Sequence, residues 1–242
     1  MTDRPWTPYC GPAPDPAEWL GRWNLDPLVL AALAFGVVAG WVFMRRGQIG
    51  PSLFAAIAVL AVIFISPLCA LGSALFTGRT LHHLLLVLAA APLLALALPC
   101  PKRANLPAAV AVQALVFWMW HAPGLYAAAL SHDGVYWIMQ VTLLGSAVWF
   151  WAAIRAASAP GAVAGLLAAM LLMGLLGAIL VFAVQPLYAP HFGATLAWGM
   201  TPLEDQQAAG LIMWAPAAAA YLAVALWRLN SLLRGPDRAT VG

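Results

Sequence analysis

The chain has 242 residues, of which 64% are hydrophobic and only 8% charged, with a net charge of +3 and a mean hydropathy of +0.89. A soluble domain needs more charge than this to cover its surface, so the composition excludes the soluble class and fits a polytopic membrane protein. The few basic residues stand at the ends of apolar runs, which excludes a nucleic-acid surface and makes them topology markers.

Residues 1–26 contain Pro5, Pro8, Pro12, Pro14 and Pro16 among Trp6, Trp19 and Trp23. That pattern predicts an irregular periplasmic segment with its aromatics at headgroup depth, and it lacks the basic-then-apolar order of a cleavable signal peptide. Seven apolar runs follow, at 27–44, 51–71, 81–98, 108–126, 135–154, 161–184 and 205–229. They are continuous and near twenty residues long, as membrane helices require, where barrel strands would be shorter and alternating. The expected fold is therefore all-α: a seven-transmembrane-helix bundle over 27–230, closed by a cytoplasmic tail at 231–242.

An odd number of spans puts the termini on opposite sides. With the N-terminus outside, Arg45, Arg46, Lys102, Arg103, Arg155, Arg228, Arg234 and Arg238 are cytoplasmic, and only Arg4, Arg22 and Arg79 lie outside. The excess of basic residues on one side predicts an N-out, C-in orientation. In this topology Arg79 sits in a short outer loop, and His82, His83, His121, His132 and His191 all gather at the outer side. Gly36 and Gly40, and Gly161 and Gly165, have the spacing that lets helices approach closely. Pro67, Pro92, Pro123 and Pro216 are expected to bend their helices, either as ordinary packing kinks or so as to leave room for an internal cavity.

Glu204-Asp205-Gln206-Gln207 opens the last span, where carboxylates either cap the helix or serve a site. The capping role suits Glu204 best. Asp205, Ala209 and Met213 recur at four-residue intervals and share a face. His82 and His83 are about 100° apart on a helix, so at most one is expected to face inward. His121 lies in Trp118-Met119-Trp120-His121-Ala122-Pro123, an aromatic setting that favours a functional role. Imidazole, thioether and thiolate are copper ligands, but no Cys-x-x-Cys, Met-x-x-Met or His-x-x-x-His is present. Cys10 and Cys69 lie on the oxidising side, where a disulfide competes with metal binding. The single lysine, Lys102, lies in a loop and excludes a retinal Schiff base, and no catalytic triad or zinc-protease motif is present.

Four blocks resemble the CtaG-type assembly factors of caa-type cytochrome c oxidase: His83-Leu84-Leu85-Leu86 leading to Ala90-Ala91-Pro92-Leu93-Leu94, Trp120-His121-Ala122-Pro123, Gln185-Pro186-Leu187-Tyr188, and Asp205 through Trp214. The resemblance implies a seven-helix protein of the bacterial inner membrane, not an enzyme, that helps mature a haem-copper oxidase and delivers copper to it. The chain departs from the family pattern where Arg79, Tyr136 and Gln140 replace histidines.

The leading expectation is copper loading of an oxidase at the outer face, with His83, His121 and Asp205 as the central metal-site residues and His82, Met213 and Cys10 as further candidates. Expected partners are oxidase subunits, the lipid bilayer and periplasmic copper chaperones, with no nucleic acid. The competing readings are a copper or small-solute permease and a metal-free scaffold for oxidase subunits.

Overall fold

A computed structural model describes residues 6–102 and 104–233. Arg4, Arg103, Arg234 and Arg238, and all of the expected 231–242 tail beyond 233, lie outside the described residues. Among the described residues every regular element is helical: α1 (Pro27–Arg45), α2 (Ser52–Ile65), α3 (Leu68–Ala74), α4 (Phe76–Leu85), α5 (Ala91–Ala97), α6 (Leu106–Trp120), α7 (Pro123–Ala129), α8 (Asp133–Ala156), α9 (Ala159–Val181) and α10 (Pro202–Leu233). Five stretches are long and apolar enough to cross a membrane, and two bent helix pairs raise the number to seven if each pair is one span. The chain is thus a helical, multi-pass membrane protein.

Proline chemistry decides where the helices break. Pro67 and Pro123 push the preceding Ser66 and Ala122 into extended backbone. The α2–α3 pair bends by 44° and the α6–α7 pair by 75° at these points. Pro92 acts differently. It follows a π-helical turn over Leu86–Ala90, whose wider winding lets α4 run on into α5 as one span, Phe76–Ala97. The Val87 carbonyl in that turn accepts a bond from Trp151 Nε1 at 2.8 Å. Pro216 lies inside α10 without ending it.

Close helix packing follows the small residues. A Cβ on Gly40 would stand 2.6 Å from Leu53, which is how α1 seats on α2. The tightest crossing is between α9 and α10, where a Cβ on Gly210 would meet the Gly177 carbonyl at 2.8 Å and one on Gly177 the Gly210 carbonyl at 2.9 Å. Only glycine at both positions permits that approach.

Contacts define two ends of the bundle. At one, the Gly50 N–H donates to Ala97, Arg155 to the Ala95 and Leu98 carbonyls, and Arg228 to Ala157. At the other, the N-terminal segment folds across the helix mouths. Cys10 is disulfide-bonded to Cys69, Thr7 donates to Ser131, Asn24 to Phe64, and Trp198 to Pro14. The Tyr9 hydroxyl donates to the Asp26 carboxylate at 2.5 Å, and with the Leu28 N–H it holds that carboxyl below the usual carboxylate range.

Candidate functional site

The strap-covered end contains a buried polar cluster built on α4. The sequence reading placed Arg79 in an outer loop as a topology marker. The structure corrects this, because α4 begins at Phe76 and carries Arg79, His82 and His83 within little more than one helical turn, each with no solvent exposure. Both histidines are buried, not one as expected, since separate neighbours meet the two faces. His82 Nε2 lies 3.2 Å from Gln140 Oε1 on α8, while the His83 ring lies 5.7 Å from that of His121, at 81° to it.

His121 caps the broken end of α6, and the Pro123 bend is what turns it into the bundle. Its Nδ1 lies 2.7 Å from the Phe117 carbonyl. A carbonyl can only accept, so Nδ1 carries the proton and Nε2 presents its lone pair. That Nε2 has no partner, and neither does either ring nitrogen of His83 nor Nδ1 of His82. Fixing one imidazole nitrogen with a carbonyl and leaving the other bare is the arrangement that metal-binding histidines adopt.

Asp205 belongs to the same end but is otherwise engaged. The Phe76 N–H donates to its Oδ2 at 2.6 Å and the Thr77 N–H to its Oδ1 at 3.0 Å, while the Thr77 hydroxyl donates to the Asp205 carbonyl at 2.9 Å. The carboxylate therefore caps α4, not its own helix. Glu204 caps α10 as expected, accepting from the Thr201 N–H at 2.7 Å while its own N–H donates to the Thr201 hydroxyl. Gln206 Oε1 accepts the Leu187 N–H at 2.7 Å and ties the loop before α10 to the helix. Met213 is buried two turns below Asp205, about 12 Å along the helix axis. Cys10 is only partly buried, and its sulfur is joined to Cys69, so in this state it has no thiolate to offer a metal.

Aromatic side chains close the cluster. Phe76 stacks on Tyr188 with centroids 3.8 Å apart, and the Tyr188 hydroxyl donates to the His121 carbonyl at 2.8 Å. The Tyr126 hydroxyl lies 2.7 Å from His191 Nε2. Burial pushes His191, in the loop before α10, down to about 3. Arg79 lies over the Tyr136 ring at 5.3 Å, and its three guanidinium nitrogens have no acceptor in bonding geometry. Tyr9 from the strap stacks on the outer side of Tyr136, 4.9 Å away. His132 is exposed and stands apart. No group of three His, Cys, Asp or Glu positioned for a metal occurs among the described residues.

Sequence reasoning noted Arg79, Tyr136 and Gln140 as replacing family histidines, but it did not see that they, with Tyr126 and Tyr188, line one cluster. A charge three residues before His82 on an amphipathic helical turn was the available signal for Arg79.

These observations define a class: a multi-pass helical membrane protein with a buried imidazole, tyrosine and guanidinium cluster under a disulfide-bonded strap. Within that class the chain belongs to the cytochrome c oxidase caa3 assembly factor family (Caa3_CtaG), whose family model matches residues 101–235. The match takes in His121, Asp205 and Met213 and leaves α4 and the strap outside it. Neither a curated protein nor a solved structure matches the chain.

Proposed function

We propose that this assembly factor supports cytochrome c oxidase by handing on copper at the outer face of the bacterial inner membrane, with His83 and His121 as the holding pair. The observation that carries this reading is the set of bare ring nitrogens on two neighbouring imidazoles set edge to face, one of them fixed in its tautomer by Phe117. Imidazole suits copper, and a pair with no third ligand suits a cargo that must leave again. His82 supports the pair through its contact with Gln140, and Asp205 sets the position of α4 and thereby of both histidines. Met213 and Cys10 are not needed in the holding pair. Oxidase subunits and periplasmic copper chaperones are the proposed partners on the strap-covered face. The role is binding and transfer, without catalysis.

The test is metal analysis of the purified protein together with oxidase copper content in cells. His83→Ala and His121→Ala should each lower copper in both by roughly tenfold or more, as expected from losing one of two ligands. Normal oxidase copper and activity in both variants would sink the idea.

One observation favours a second reading, a scaffold that binds oxidase subunits without metal. The Arg79 guanidinium beside His82 repels a cation. Co-purification of oxidase subunits that survives removal of His82, His83 and His121 together, with oxidase copper unchanged, would select the scaffold.

A further inference from the structure

Arg79 brings a buried positive charge into the histidine cluster, and the holding pair makes no use of it. Its side chain has no solvent exposure, and none of its three guanidinium nitrogens has an acceptor in bonding geometry. A buried cation left in that state is costly, so its place in the cluster calls for a task.

The charge is fixed beside the pair. The guanidinium lies over the Tyr136 ring at 5.3 Å. On α3 it meets Gly72, where a Cβ would stand 3.1 Å from Arg79 Cζ and 3.2 Å from Nε, so the backbone of α3 closes directly on the planar group. Arg79 and His83 are four residues apart on α4 and share a helical face.

The ligands available to an incoming ion are neutral. His83 and His121 offer bare imidazole nitrogens, and imidazole binds a metal as an uncharged group. Both oxygens of Asp205 are taken by the Phe76 and Thr77 N–H groups, and the Cys10 sulfur is in a disulfide. None of these supplies an anionic ligand to offset the charge of the ion. Imidazole suits Zn(II) and Cu(II) as well as Cu(I), so ligand type does not choose among them. The Arg79 charge does. Repulsion from a fixed unit charge is twice as large in energy for a dication as for a monocation, and a doubled energy is a squared factor in affinity.

We propose that the charge of Arg79 restricts the pair of His83 and His121 to a monovalent soft cation and excludes divalent ions. The inference rests on the copper-holding reading above and assigns its cargo the Cu(I) state.

The test is to measure the affinity of the purified full chain for Cu(I), kept reduced and competed against a Cu(I) chelator, and for Zn(II), competed against a Zn(II) chelator. R79M removes the charge and keeps an apolar stem, and R79Q carries the test if R79M fails to fold. Cu(I) affinity should rise about tenfold and Zn(II) affinity by the square of that gain, about 100-fold, the order expected for charges held near one another inside a protein. Both gains should vanish in R79M/H83A and in R79M/H121A. A change in packing alone would not move the two ions by a factor and its square. Cu(I) binding by the parent with no gain in either variant, with equal gains for the two ions, or with gains that survive H83A would overturn the inference and leave the copper reading standing. A parent chain that binds no Cu(I) would overturn both.

Discussion

Asp205 shows how one side chain can be essential to a site without touching what the site binds. Its two oxygens take the first two N–H groups of α4, a helix about 129 positions away in sequence, and the Phe76 donor is buried while the Thr77 donor is partly so. Removing the acceptor leaves buried donors unpaired, at a cost of about 1–3 kcal/mol. Asp205→Ala is expected to lower the thermal midpoint in detergent, and Asp205→Asn, which keeps one acceptor, should fall between it and the parent. A variant that loses copper with its midpoint unchanged would reassign Asp205 as a ligand. His191 gives a pH signature at the same scale. Burial holds it near 3 against an ordinary 6.5, so below 6.5 the unfolded chain takes up a proton that the folded chain refuses. Its contribution is intact above pH 6.5 and is lost progressively as the pH falls toward 3. Thermal midpoints across pH 8 to 4 should decline less steeply for His191→Gln than for the parent, although Gln lowers the midpoint at pH 8 by loosening the bond to Tyr126. Identical slopes would remove His191 from the acid response.

At the scale of elements, much of the fold could be read before any coordinates, because proline and glycine act locally. Pro67 and Pro123 break their helices where the residue before a proline must be extended, and Gly40 seats against α2 as its spacing suggested. What could not be read depended on partners distant in sequence. Arg79 looks like a loop charge until α4 is seen to start at Phe76, under a cap supplied by α10. His82 and His83 could both be buried because α8 and the end of α6 meet α4 from different sides. Gly177 and Gly210 belong to this second kind, since each matters only for its opposite number. A methyl on Gly210 would stand 2.8 Å from the Gly177 carbonyl, and neither backbone can yield. Gly210→Ala should therefore destabilise the α9–α10 pair by about 1–3 kcal/mol. Gly145→Ala, where a Cβ meets nothing within 4 Å, should be neutral or slightly stabilising through helix propensity. Equal midpoints for the two variants would show that the crossing is not tight.

For the whole molecule, the separation of charge between the two ends carries the orientation argument. Arg45, Arg46, Lys102, Arg155 and Arg228 lie toward the end where Arg155 and Arg228 bond to backbone carbonyls, the arginine end, while Asp15, Glu18, Asp26, Asp133 and Glu204 lie toward the strap end. With Arg79 drawn into the bundle, Arg22 is the basic residue left on the surface of the strap end among the described residues. This asymmetry is what the positive-inside rule expects of a chain whose arginine end is cytoplasmic and whose strap, with its disulfide, is outside, an orientation open to direct test. The chain contains its own reporter for this. Cys10 and Cys69 are paired, and Cys100 is free and exposed just beyond α5 at the arginine end. A membrane-impermeant maleimide should label Cys100 in inside-out vesicles and leave it unmodified in intact spheroplasts, with Cys100→Ser abolishing the signal. Labelling from the outside would invert the orientation and with it the assignment of the histidine pair to the oxidising side.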